Sequence, residues 1–168
     1  MANDTGPFRP FETQFDENAA LRILRTATDG ADDGELFLER RRTESLVFDD
    51  NRLKNASYNA SEGFGLRAVK GETTGYAHST ELTHAALKRA AETTRLAVGS
   101  GGGTLAPAPT ATNQSMYTDA DPMADAEFNV KVDTLRQIDA FTRELDPRVV
   151  QVSASISASL QEIEILRP

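Results

Sequence analysis

The sequence predicts an α+β domain, an antiparallel meander sheet with helices packed on one face. Three patterns lead there. Val150, Val152, Ala154, Ile156, Ala158 and Leu160 alternate with Gln151, Ser153, Ser155, Ser157, Ser159 and Gln161, the period-2 signature of a half-buried strand. Between residues 34 and 80 the apolar residues come in short runs separated by turn chemistry. Three other stretches, 16–29, 81–98 and 125–145, keep their apolar residues at helical spacing.

Residues 1–15 hold Gly6, Pro7 and Pro10 and show no period, so they read as a partly disordered N-terminal arm. In the first helix, 16–29, Asp16 is placed to cap and Glu17 suits the positive end of the helix dipole. Ala20, Leu21, Leu24, Ala27 and Thr28 mark one face, and Gly30 ends the helix. The strand tendency begins at Glu35–Glu39 and resumes at Leu46–Phe48. Asp49, Asn51 and Asp50 form a turn, Leu53–Tyr58 a return strand, and Asn59–Gly63 a second connection. Phe64–Val69 and Thr74–His78 are two further strands around a turn at Lys70–Glu72. Connections this short join antiparallel neighbours. Thr80 is the expected cap of the helix 81–98, which Gly99 stops. Residues 99–115 are rich in Gly, Pro, Ser and Thr and read as a flexible linker. The helix 125–145 presents Phe128, Val132, Leu135, Ile138, Phe141 and Leu145 as its apolar stripe and ends at Asp146-Pro147. The stripes of the last two helices are expected to pack on Leu36, Leu38, Leu66 and the even-numbered residues of the final strand, 149–165. The domain organisation is thus an arm over 1–15 and one domain over 16–168 containing the 99–115 linker.

Composition narrows the function classes. With 39% hydrophobic and 26% charged residues the chain can form a core. A formal net charge of −8 opposes phosphate backbones and anionic membrane surfaces, so neither direct nucleic-acid binding nor membrane binding is expected. The chain has no cysteine, which removes disulfides, thiolate metal ligands and a thiol nucleophile. No run approaches the ~20 apolar residues of a membrane span, and Met1–Phe15 lacks the pattern of a signal peptide, so the expected location is the cytoplasm.

Motifs with chemistry are few. His78 and His84 have neither the i,i+4 spacing of a zinc protease nor a finger spacing, and surface or half-buried histidines are the expectation. Gly63-Phe64-Gly65-Leu66-Arg67-Ala68 matches a dinucleotide-binding pattern, yet it opens a strand where that site needs a helix N-terminus. A turn or bulge at Gly63 and Gly65 is the expected use. Gly101–Gly103 lacks the Lys-Ser/Thr of a phosphate loop. Arg40 and Arg42 share a strand face that could receive an anion, but the flanking Glu39 and Glu44 favour a solvated, self-paired strand. Asp32, Asp33, Asp49 and Asp50 sit in turns rather than as a pair in a pocket. No catalytic, cofactor-binding or metal-ligating residue is assigned in this chain.

Three stretches carry a resemblance: Gly34–Ser45, Gly63–Ser79 and Asp146–Val152, with the helix 81–98 fitting between them. Over about residues 16–165 the chain resembles the N-terminal domain of the TldD/PmbA family, also called modulator of DNA gyrase. The Gly75-Tyr76-Ala77-His78-Ser79 ending resembles the TldD branch rather than TldE (PmbA). The resemblance implies a cytoplasmic bacterial zinc metallopeptidase of two kinds of subunit, a TldD-like one with a His-Glu-x-x-x-His motif and a later Cys, and a TldE-like partner that completes a closed chamber. A heterodimer, or self-association, and small or unfolded peptide substrates go with it. The sequence has no His-Glu pair and no Cys, so zinc is expected only in a full-length family protein and this chain alone is expected to be non-catalytic, a scaffold and interface. Two other readings compete. One is a stand-alone interaction module without enzymatic activity, adding its final strand to a partner's sheet. The other is a DNA gyrase-associated regulator, against which the charge of −8 weighs.

Overall fold

The computed structural model describes residues 6–99, 118 and 120–168. In chain order the elements are α1 (Pro10–Thr13), α2 (Glu17–Ala27), β1 (Asp33–Asp49), β2 (Arg52–Lys70), β3 (Thr73–Ser79), α3 (His84–Val98), α4 (Phe128–Leu145) and β4 (Ser153–Leu166). The strands form one four-stranded antiparallel sheet in the order β3-β2-β1-β4, the α+β architecture expected. The contacts divide into two compact units. One comprises residues up to Arg40, Ser61 onward through α3, and Glu162–Pro168; the other comprises Arg41–Ala60 and the chain through α4 to Gln161.

The first unit follows from its periodicity. The Asp16 side chain accepts the Ala19 N–H at 2.5 Å and caps α2, so one of the orphan amides of the helix end is satisfied. Ala20, Leu24 and Ala27 face inward. They meet Leu36 and Leu38 of β1, Phe64 and Leu66 of β2, and Ala86, Leu87, Ala90 and Ala91 of α3 in one apolar core. Phe8 and Phe15, in the stretch read as an arm, are buried in that core, and Pro10 opens a single helical turn beside them. Gly75 has a steric role: a Cβ there would stand 2.5 Å from the Thr94 carbonyl oxygen, so α3 lies directly on β3. The Thr94 hydroxyl reaches the Leu66 carbonyl at 3.4 Å.

The second unit has a smaller core. Leu46 and Phe48 of β1 and Leu135 of α4 are buried, with Val132, Ala154 and Ile156 packed against them. The β1–β2 turn places both Asp50 (φ 47°) and Asn51 (φ 60°) in the left-handed region, the pattern of a two-residue type I′ hairpin that Asn and Asp tolerate best.

Four expectations are corrected. Asn59–Gly63 is not a connection; the return strand and the third strand are one strand, β2. Its first eleven residues are exposed or half-exposed on both faces, so they show no apolar period although the backbone is paired. The α3 helix starts three residues later than expected, because Thr83 and not Thr80 accepts the Ala86 N–H, at 3.2 Å. The β4 strand begins at Ser153, with Val150 lying 86% exposed before it. The fourth correction concerns α4. Of its expected stripe only Leu135 is buried, while Phe128, Ile138, Phe141 and Leu145 are exposed. Lys131 and Asp139 occupy the buried face with Leu135, because each finds an ionic partner there.

The linker expectation, apart from Gly99, and the Gly101–Gly103 motif lie outside the described residues. No helix among the described residues is long and apolar enough to cross a membrane.

Candidate functional site

The even-numbered row of β1 faces the helices. It runs Leu36, Leu38, Arg40, Arg42, Glu44, Leu46, Phe48, so an ionic stretch interrupts an apolar one. The expectation of a solvated, self-paired strand fails here. Arg40 is 6% and Arg42 4% exposed. A buried guanidinium needs a partner that offsets its lost hydration, and each finds one far along the chain. Arg40 pairs with Glu162 at 2.9 Å, donates to the Gly6 carbonyl, and lies over the Phe8 ring at 5.4 Å. The Phe8 N–H donates to the same Glu162 carboxylate at 2.8 Å. In the other unit Arg42 pairs with Asp121 at 3.0 Å, and Glu44 takes Lys131 at 2.7 Å, whose ammonium also donates to the Met123 carbonyl. With every charge matched, these arginines hold segments in register rather than an anion.

The histidines are separated. His78, on β3, stacks on Tyr76 with ring centroids 5.7 Å apart. His84 is the first residue of α3. Its Nε2 accepts the Asp16 backbone N–H at 3.2 Å, and Phe15 meets the ring edge-on at 5.4 Å. Through this bond His84 ties the start of α3 to the start of α2. Gly65 supports a close approach: a Cβ there would meet the Tyr76 hydroxyl at 2.6 Å and its ring at 2.9 Å. The glycine pattern is therefore part of a continuous strand covered by an aromatic ring, and not the turn or bulge expected.

The turn carboxylates are also accounted for singly. Asp32 accepts the Gly71 N–H at 2.5 Å, Asp33 pairs with Arg67 at 2.9 Å, Asp49 takes Lys54 at 3.6 Å, and Asp50 pairs with Arg143. Arg143 also holds Asp139 at 2.9 Å, and that bond first, then the one to Asp50, raises its pKa above the ordinary arginine value. Asp146 is held below the ordinary carboxylate value by the Arg148 side chain, with the Arg148 N–H assisting. None of these is a paired-carboxylate centre of the kind acid–base catalysis requires.

Among the described residues no group of three His, Cys, Asp or Glu side chains could hold a metal ion. His84 already uses Nε2, and His78 stands apart from it on another element. The described residues thus do not fit a zinc centre, and no metal-dependent step is derived from them.

One surface feature escaped the sequence reading. Between α2 and α3 runs a groove of about 560 Å³, with Ile23, Ala27 and Ala91 on its floor and Arg22, Lys88 and Arg95 around it. The signal was present as basic residues beside each apolar stripe, but nothing in the sequence says that the two helices lie side by side.

Residues 34–98 match the family model described as PmbA/TldA metallopeptidase domain 1. The metalloprotease TldD homologue of Haemophilus influenzae is 31% identical over 139 residues, covering 80% of this chain and 29% of the relative. The TldD homologue of Buchnera aphidicola from Acyrthosiphon pisum is 26% identical over 149 residues, covering 88% of this chain and 31% of the relative. The chain therefore spans about three tenths of the length of these relatives. Two solved structures share its fold. TldE from Thermococcus kodakarensis superposes with a TM-score of 0.60 at 17% identity, covering 88% of this chain and 34% of that one. A Bacteroides thetaiotaomicron protein labelled as a modulator of DNA gyrase gives 0.63 at 14% identity, covering 90% and 36%.

Proposed function

Starting from the fact that this chain belongs to the PmbA/TldD family as an N-terminal domain, we propose that it is the non-catalytic part of a TldD-like zinc metallopeptidase subunit. In this proposal residues 16–168 act as one family domain. The working protein is cytoplasmic, pairs with a TldE-like partner, and degrades or processes small or unfolded peptides. The observation that carries the proposal is the match of residues 34–98 to the first domain of the metallopeptidase family. The buried ion pairs of β1 support a scaffolding role, since such groups fix geometry and offer no reactive group.

The test has two arms. Reading the coding DNA beyond the codon for Pro168 is expected to show a continuing frame with His-Glu-x-x-x-His and a later Cys. The 168-residue chain, incubated with zinc and a quenched-fluorescence peptide mixture, is expected to cleave nothing, whereas the longer product with a TldE-like partner cleaves and loses activity to a chelator. A stop codon, or zinc-dependent cleavage by the short chain, would sink the proposal.

A second reading draws on the position of β4. Among the described residues it is an outer strand of the sheet, and such an edge is where a partner strand can add. Light scattering of the 168-residue chain separates the readings: a monomer that shows no concentration dependence speaks against a strand-adding module.

A further inference from the structure

We propose that the groove between α2 and α3 docks an amphipathic helix of a separate protein, one whose apolar stripe is bordered by carboxylates. The floor is apolar and low, because Ala27 and Ala91 carry only methyl groups beside Ile23. Leu96 stands at the lip and is 83% exposed, an apolar side chain that the core does not use. Its volume falls within the ~300–1,000 Å³ typical of ligand sites. The α3 residues along it run from Lys88 to Leu96, a length of about 12 Å at the helical rise. That trough accommodates about two turns of a partner helix through i, i+4 and i+7 anchors.

Charge selects the occupant. Arg22, Lys88 and Arg95 ring the groove, and Glu92 is the only carboxylate among its lining residues. None of the three cations belongs to an ion pair among the described residues. On a chain of net charge −8 this is a local reversal of sign, and complementary potentials steer and select partners. The walls are helices, whose backbone groups bond internally, so an extended strand finds no ladder to join. A helix that brings Leu or Ile side chains to the floor and Glu or Asp to the rim satisfies both features.

The experiment uses the full 168-residue chain and a fluorescein-labelled helical peptide of about 15 residues with Leu at i, i+4 and i+7, flanked by Glu. A second probe replaces each Glu with Lys. Anisotropy titration is expected to show the acidic probe binding about tenfold more tightly than the basic one, with the gap shrinking as salt rises. The triple variant Arg22→Glu, Lys88→Glu, Arg95→Glu changes only exposed side chains, and its circular dichroism is expected to match the parent. In it the preference reverses, while Leu96→Asp weakens both probes. Equal binding of the two probes, binding of neither, or a preference that survives the charge reversal would overturn the proposal. So would self-association by sedimentation that the triple variant abolishes, since the occupant would then be a second copy of this chain.

Discussion

The two units of this chain keep their elements together by different means. In the first, Leu24, Leu36, Leu38, Leu66 and Leu87 are wholly buried in one apolar core with Phe8, Phe15 and Phe64. In the second, the buried apolar set among the described residues is Leu46, Phe48 and Leu135, and the inward face of its helix is completed by Lys131 and Asp139. Burial of apolar area contributes roughly 25 cal/mol per Å² without regard to direction. A buried ion pair contributes little net stability, but it costs a great deal when only one partner remains. Apart from its buried Arg40–Glu162 pair, the first unit should therefore be sensitive mainly to lost volume, and the second mainly to lost partnership.

The largest expected effect is in the first unit. Leu24→Ala should cost ~4 kcal/mol, within the range for truncating a fully buried leucine, read as a lower urea midpoint. Lys131→Met should cost ~3 kcal/mol by leaving the Glu44 carboxylate unpaired; the Lys131 side chain is 8% exposed and that of Glu44 19%. The double variant Lys131→Met, Glu44→Leu should recover most of that loss, and a double variant no better than the single would break the contrast between the units. Asp16→Ala removes the cap of α2 and should cost about 1 kcal/mol, seen as faster amide exchange at Ala19. Phe141→Gln should change stability by less than about 0.5 kcal/mol, since Phe141 is 61% exposed; a large loss there would mean that the α4 stripe is buried after all.

The smallest effect concerns pH. Arg148 lowers the Asp146 pKa from 3.8, so the pairing stabilises the folded chain above the ordinary carboxylate value. That contribution fades as the pH falls through the lowered folded value. Arg148→Ala should move the Asp146 titration midpoint upward, as followed by NMR of the side-chain carboxyl. An unchanged midpoint would show that the pair does not persist in solution.

Much of the fold could be read from short-range pattern. Asp16 before an apolar-periodic run gave the capped helix, the Asp50-Asn51 turn gave the hairpin, and the alternation through Ala154 and Ile156 gave the last strand and its inward row. The absence of an assigned catalytic residue rested on spacing and residue type. The misread parts share a cause. Glu39 and Glu44 are the carboxylates that the local sequence offers Arg40 and Arg42, yet their partners are Glu162 and Asp121. The sequence points to Thr80 as the α3 cap, whereas Thr83 makes the bond.

What the sequence determined by itself was therefore periodicity and turn chemistry, because hydrogen bonds and steric preferences within a helical turn or a hairpin act over a few residues. What only the tertiary structure decided was which stripe of α4 lies inward, which charges lie buried, and that α2 and α3 stand side by side to leave a groove. Those outcomes depend on partners such as Glu44 for Lys131, 87 residues away. A charge can be buried only where such a partner stands, and its position becomes defined only when the sheet has formed.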